Sequence, residues 1–152
     1  MKRLCAGVLL AMAFVLCILG ARASDDNAVK EEMKKLEGTW VLQEYSRNGK
    51  DTPKEKLGKI AFAEFTIKGD ALTSGRAKYK IAIDPSKNPM TIDRIREANG
   101  KSTALEGLYE LEGDTLKICF DFDVSKSGKH ERPKELKSGE GLMLRVYERK
   151  KE

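Results

Sequence analysis

Residues 103–123 read TALEGLYELEGDTLKICFDFD, and they carry the clearest secondary-structure signal in the chain. Apolar and polar residues alternate on both sides of Gly113-Asp114, a pair that favours a tight turn. In the second half, one face carries four apolar residues: Leu116, Ile118, Phe120 and Phe122. A period of two is typical of a half-buried strand. The stretch therefore predicts two antiparallel strands, residues 103–112 and 115–123, joined as a hairpin.

The same alternation recurs on both sides of this hairpin. It predicts six further strands, at residues 39–47, 61–68, 72–75, 76–84, 90–96 and 142–149. Asn48-Gly49 and Asn99-Gly100 are hairpin-type turn signals between them. About eight short strands with almost no helix indicate an all-β protein, either an antiparallel barrel or a sandwich. Closure into a barrel would remove the exposed strand edges.

The N-terminal residues have the composition of an export signal. Lys2 and Arg3 precede an uncharged segment, residues 4–20, and Ala21-Arg22-Ala23 is a small-x-small cleavage pattern. We therefore expect a signal peptide over residues 1–23 and a periplasmic or secreted protein after cleavage following Ala23. An uncleaved anchor is the alternative, since the apolar run is at the short end of what spans a bilayer. Lipidation of Cys17 is a weaker interpretation.

Residues 24–37 are predicted to form a short helix or a charged leader. Val29, Met33 and Leu36 fall on one stripe at helical spacing, and Gly38 suits a helix C-terminus. The remaining residues, 38–152, form the predicted barrel domain.

Charge excludes one class of partner. The chain holds 29 Lys+Arg and 24 Asp+Glu, but three of the bases and none of the acids lie in the first 23 residues. The rest is nearly balanced, and its lysines are not interleaved with aromatic residues as a nucleic-acid platform requires. We expect no nucleic-acid partner, and membrane contact only through the signal segment.

Few residues could support catalysis or bind a metal. After cleavage Cys119 is the only cysteine and His130 the only histidine, which excludes an internal disulfide and the usual zinc ligand sets. A nucleophilic Cys119 activated by His130 is a disfavoured alternative. Glu44, on the Trp40 side of its strand, is the one candidate for an inward carboxylate. The sequence thus predicts no catalytic residues, no metal and no cofactor.

A set of landmarks in fixed order resembles a planctomycete-type bacterial lipocalin-like domain family of unknown function. The landmarks are Gly38–Trp40, Asn48–Lys50, Phe65–Asp70, Ile83–Pro89, Ile92–Asp93, Gly107–Cys119 and Arg132–Pro133, within residues 36–149. The resemblance implies an eight-stranded up-and-down barrel and no established reaction. It also implies that Trp40 packs across the closed end of the barrel beneath a basic side chain of the last strand, Arg145 or Arg149.

An eight-stranded barrel is just wide enough to be filled by side chains or to hold one small ligand. Five aromatic residues are the expected lining of such a site: Trp40, Phe65, Tyr79, Tyr109 and Phe120. The favoured hypothesis is an exported, non-enzymatic barrel that binds a small apolar or amphipathic molecule. The alternative is an envelope protein-interaction module, whose filled barrel displays the loop from Ser125 to Gly141 to a protein partner.

Overall fold

The computed structural model describes residues 17–123 and 130–151, with side chains for residues 26–123 and 130–151. The part of the chain so described contains two helices and nine strands. In chain order they are α1 (Cys17–Leu36), β1 (Gly38–Arg47), β2 (Lys50–Asp51), α2 (Lys54–Leu57), β3 (Glu64–Lys68), β4 (Ala71–Ser74), β5 (Ala77–Asp84), β6 (Met90–Ala98), β7 (Lys101–Glu112), β8 (Thr115–Asp121) and β9 (Leu142–Arg149).

The sheet is a closed antiparallel barrel of eight strands. Strands β1 and β3 to β9 each pair with the next in this order, and β9 pairs back with β1 from Trp40↔Arg149 to Arg47↔Met143. The two-residue β2 only extends the end of β1 as a hairpin. The predicted all-β barrel is confirmed, and β7 and β8 form the expected hairpin. Closure leaves the eight barrel strands without a free edge.

Helix α1 packs against the barrel beside the start of β1. Its residues Val29, Met33 and Leu36 contact the barrel core, as their helical spacing predicts. A short N-terminal helix is therefore confirmed, and it is described from Cys17 rather than from Ser24. Across residues 17–123 and 130–151, no helix combines the length and the apolar character needed to cross a membrane.

A β-bulge in β1 changes which side chains enter the barrel. The register with β9 shifts between Leu42 and Glu44, so that Glu44 pairs with Val146 and is exposed. Tyr45 then pairs with Arg145 and is half-buried. Glu44, the candidate for an inward carboxylate, thus faces solvent, because the extra residue of a bulge reverses the alternation beyond it.

The connection from β1 to β3 differs from the predicted strand at residues 61–68. The strand begins only at Glu64, and residues 58–63, here called the mouth loop, turn into the barrel. Phe62 has φ +64°, a left-handed conformation that a bulky side chain rarely adopts. Buried Leu57 anchors the preceding helix α2. The loop therefore brings Phe62 to the barrel at the end away from α1.

Candidate functional site

A small cavity lies inside the barrel next to the mouth loop. Its free volume is about 20 Å³, close to the space that a single water molecule needs. The lining residues come from the mouth loop and six strands: Phe62, Phe65, Leu72, Ile81, Ile92, Arg94, Ile118, Phe120, Arg145 and Tyr147. The barrel interior is thus largely filled at this point, and the free space there adjoins two arginine side chains.

Arg145 is the one buried charged residue in the part of the chain that the structure describes, with 7% of its surface exposed. Its Nη1 donates to the carbonyl oxygen of Ala61 at 2.8 Å and to the hydroxyl of Tyr147 at 3.2 Å. Its Nη2 contacts the sulfur of Met143 at 3.3 Å. Its Nε is buried and has no hydrogen-bond partner among the described residues. One donor of this guanidinium is therefore unsatisfied inside the barrel.

Arg94 enters the same space from β6 and is held by rings. Its guanidinium carbon lies 4.2 Å from the ring centre of Phe62, 5.0 Å from that of Tyr79 and 5.4 Å from that of Phe120. Burial, and then the nearby charge of Arg145, lower the pKa of Arg94. No carboxylate of the described residues lies within ion-pair distance of Arg94. Arg94 thus shares a half-buried site with a second cation.

Phe62 lies between the two guanidinium groups. Its ring centre is 4.2 Å from the guanidinium carbon of Arg94 and 5.6 Å from that of Arg145. The ring also contacts Tyr79, with 5.4 Å between ring centres. The negative face of an aromatic ring attracts cations, so Phe62 offsets part of the cost of bringing the two charges together. The mouth loop thus supplies both this ring and the Ala61 carbonyl.

The expected ligand-lining residues divide into two groups. Phe65 and Phe120 line the cavity, and Phe65 packs edge-on against Tyr147 with 4.8 Å between ring centres. Tyr79 touches Phe62 and Arg94 from outside the lining set. Trp40 and Tyr109 are fully buried but do not line the cavity. The structure therefore brings three of the five aromatic residues to the arginine site.

At the α1 end of the barrel, the closing pair involves Arg149. Its guanidinium carbon lies 4.3 Å from the ring centre of Trp40, whose Nε1 donates to the carbonyl of Leu36 at 2.9 Å. Arg145, the other arginine expected over Trp40, instead points into the cavity, because it lies four residues earlier on the same face of β9. The two arginines of β9 thus serve opposite ends of the barrel.

The two arginines of the site could have been found from the sequence, because both stand at positions of a strand that face the barrel interior. Arg94 follows buried Ile92 by two residues, and Arg145 lies between Met143 and Tyr147 on the inward face of β9. A charged residue on the apolar face of a strand is placed inside by the period of two. No such signal marks Phe62, whose position depends on the mouth loop.

Cys119 lies on the outward face of β8 beneath residues 130–141. Its thiol is buried and donates to the carbonyl of Lys137 at 3.4 Å, and burial raises the pKa of the thiol to about 11. His130 is exposed. The thiol is therefore protonated at neutral pH, whereas a nucleophilic cysteine needs a lowered pKa. Within the described ranges, no three His, Cys, Asp or Glu side chains form a cluster that could hold a metal ion.

Residues 130–141, the described part of the loop from Ser125 to Gly141, are attached to the barrel. Arg132 pairs with Asp93 at 2.8 Å and donates to the carbonyl of Gly107 at 2.7 Å. The hydroxyl of Ser138 accepts a hydrogen bond from the backbone of Gly49 at 2.9 Å. Residues 125–129 lie outside the described residues. The described part of this loop therefore lies along the barrel wall.

Comparison with known proteins gives no match to a protein family, a curated protein or a solved structure.

Proposed function

We propose that this protein is an exported, non-enzymatic barrel that binds a small amphipathic molecule inside the barrel, in the space that Phe62 fills. The observation that carries this proposal is the origin of Phe62. The other residues that line the cavity belong to strands, but this ring comes from a loop and is only half-buried. Rotation of one loop side chain would enlarge the cavity without breaking any strand pairing.

The contacts and backbone conformation of Phe62 favour displacement of its ring by a ligand. The ring is held by contacts with Arg94, Arg145 and Tyr79, and the residue adopts a backbone conformation that costs free energy for a bulky side chain. Buried Leu57 anchors the start of the mouth loop. Its other end is anchored by a hydrogen bond, in which the backbone N–H of Leu42 donates to the Ala63 carbonyl at 2.8 Å. The loop can therefore move Phe62 while its ends stay attached.

The exported location and the lipocalin-like character of the proposed protein are supported by the sequence. The basic start, the uncharged segment and Ala21-Arg22-Ala23 support delivery outside the cytoplasm. The landmarks within residues 36–149 support a lipocalin-like domain without an established reaction. The protonated, buried thiol of Cys119 supports a binding protein rather than a hydrolase.

The attachment of residues 130–141 bears on the protein-interaction alternative. Arg132 and Ser138 fix this segment to the barrel, so it offers fewer free groups to a partner than a displayed loop would. Ligand binding inside the barrel is therefore the function that we put forward.

The experiment is a titration with the neutral fluorescent probe N-phenyl-1-naphthylamine. We expect wild type to bind it and Phe62→Ala to bind it about tenfold more tightly, because the variant need not displace the ring first. Phe122→Ala is the matched control, since Phe122 is also half-buried beneath an arginine, Arg47 at 3.7 Å, but does not line the cavity. The control should bind like wild type. Absence of binding by wild type and by Phe62→Ala would reject the proposal.

A further inference from the structure

We infer that Arg94 and Arg145 form a binding site for an oxyanion, so that the ligand of the barrel is an amphipathic molecule with an anionic oxygen head group. This inference rests on the proposed function and specifies the chemical class of the ligand. It follows from the positions and partners of the two guanidinium groups inside the barrel.

The first step concerns charge. Arg94 and Arg145 both line one cavity, and neither forms an ion pair with a carboxylate of the described residues. A buried charge without a counter-ion is unfavourable, and a second like charge beside it adds repulsion. The bulge in β1 turns Glu44 out to solvent. An anion bound between the two arginines would offset both charges.

The second step concerns hydrogen bonds. The Nε of Arg145 is buried without a partner, and its Nη1 is bonded to the backbone oxygen of Ala61 at 2.8 Å. The guanidinium group of Arg94 lies against three aromatic rings, and no hydrogen bond from it to a described residue is present. Guanidinium donors bind planar oxyanions better than single carbonyl oxygens, because two parallel hydrogen bonds can form. The donors of the site are thus available for a better acceptor.

The third step concerns the mouth loop. Ala61 places an oxygen on Arg145, and the adjacent Phe62 places an apolar ring between the two arginines. Together they occupy the positions that the oxygen and the apolar body of an amphipathic anion would take. Displacement of this one dipeptide would expose both arginines and the aliphatic lining formed by Leu72, Ile81 and Ile92 at the same time.

The test compares decanoate with decanol, which have the same chain length, by isothermal titration calorimetry. Wild type should bind decanoate more tightly by about tenfold to a hundredfold, the size expected for hydrogen bonds to a charged group. Arg94→Met and Arg145→Met should each lose most of this preference. Arg96→Met is the control, because Arg96 lies two residues along β6 and is exposed. It should keep the preference.

The outcomes separate the inference from the proposed function. Equal binding of decanoate and decanol, or a preference that survives both arginine substitutions, would overturn the oxyanion site and leave the binding function standing. Absence of binding of both ligands and of N-phenyl-1-naphthylamine, in wild type and in Phe62→Ala, would overturn both. Should a methionine variant fail to fold by circular dichroism, Arg94→Gln and Arg145→Gln remove the charge while keeping polarity, and the same criteria apply to them.

Discussion

At the scale of single residues, Arg149 connects the helix to the barrel. Its Nη1 and Nη2 donate to the backbone carbonyls of Glu37 and Lys35, the second at 2.7 Å, and its Nε pairs with Asp114 at 3.0 Å. Carbonyls at the end of a helix lack intrahelical partners, and a cation there also suits the helix dipole. A Cβ on Gly38 would lie 2.9 Å from Nη1. Glycine at this position therefore leaves room for the guanidinium group.

We predict that Arg149→Met lowers the free energy of unfolding by about 2–4 kcal/mol, because it removes the ring contact with Trp40 and the charged hydrogen bonds to α1. Urea denaturation followed by tryptophan fluorescence measures the change. Lys150→Met is the control, since the exposed Lys150 forms a surface ion pair with Glu64 at 3.4 Å. A loss below that of the control would show that Arg149 does not hold α1 to the barrel.

Cys119 makes the stability depend on pH. The thiol has a pKa of about 11 in the folded protein because it is buried; the unfolded chain ionises it near its ordinary pKa of about 8.5. Between these values the unfolded state binds fewer protons, so the free energy of unfolding falls as the pH rises.

We predict that the contribution of Cys119 falls by about 2–3 kcal/mol between pH 8 and pH 11. Other groups titrate in this range, so the measurement is the difference between wild type and Cys119→Ala in urea denaturation at each pH. This difference should be constant below pH 8 and should change above it in favour of the variant. A constant difference up to pH 11 would contradict a buried, protonated thiol.

At the scale of elements, the packing of the β7–β8 hairpin depends on a glycine within a strand, away from the turn. Gly107 lies within β7, opposite Phe120 in β8. A Cβ on Gly107 would lie 2.5 Å from the ring of Phe120 and 2.7 Å from the carbonyl oxygen of Cys119. The absence of a side chain at this position thus allows Phe120 to reach the cavity.

We predict that Gly107→Ala lowers the free energy of unfolding by about 1–3 kcal/mol, the usual cost of overpacking a core. The smaller side chain in Gly107→Ala/Phe120→Leu should recover part of this loss, which a double-mutant cycle of urea denaturation measures. Gly58→Ala is the control, because an added Cβ there meets no atom within 4 Å and the backbone is α-helical. Additive losses at positions 107 and 120 would show that the two residues do not interact.

The elements also show which parts of this fold the sequence can predict. Regular alternation placed the strands, and Asn48-Gly49 and Asn99-Gly100 occupy hairpin turns with positive φ at all four residues, as such turns require. The bulge after Leu42 and the end of the alternation at Phe62 were missed, because both depend on tertiary pairing with β9 and β3. Since these two irregularities turn Glu44 outward and Phe62 inward, the candidate site was less predictable than the barrel.

At the scale of the whole molecule, the two ends of the barrel differ in whether their arginines are paired with a carboxylate. At the α1 end, Arg149 is paired with Asp114 and bonded to backbone carbonyls. At the mouth loop, Arg94 and Arg145 line the same small cavity without a carboxylate partner among the described residues. Protein groups therefore neutralise the charge at the α1 end. At the mouth loop, we expect a bound anion to offset the cost of burying the two arginine charges.

We predict that Arg94→Met raises the free energy of unfolding of the unliganded protein by about 1–2 kcal/mol, because an apolar side chain of similar length removes the desolvated charge and its repulsion from Arg145. Arg94 is the informative position, since its guanidinium packs on three rings and its loss leaves no described hydrogen-bond partner unsatisfied. Urea denaturation at low ionic strength measures the change, and the exposed Arg96→Met should stay within about 0.5 kcal/mol of wild type. A bound anion should reverse the order, because it binds more tightly to the protein that retains the arginine and therefore stabilises it more. A lower free energy of unfolding for Arg94→Met without ligand would contradict this prediction. It would mean that the contacts of Arg94 with Phe62, Tyr79 and Phe120 stabilise the protein by more than the burial of its charge costs, so that an anion would have no such cost to offset.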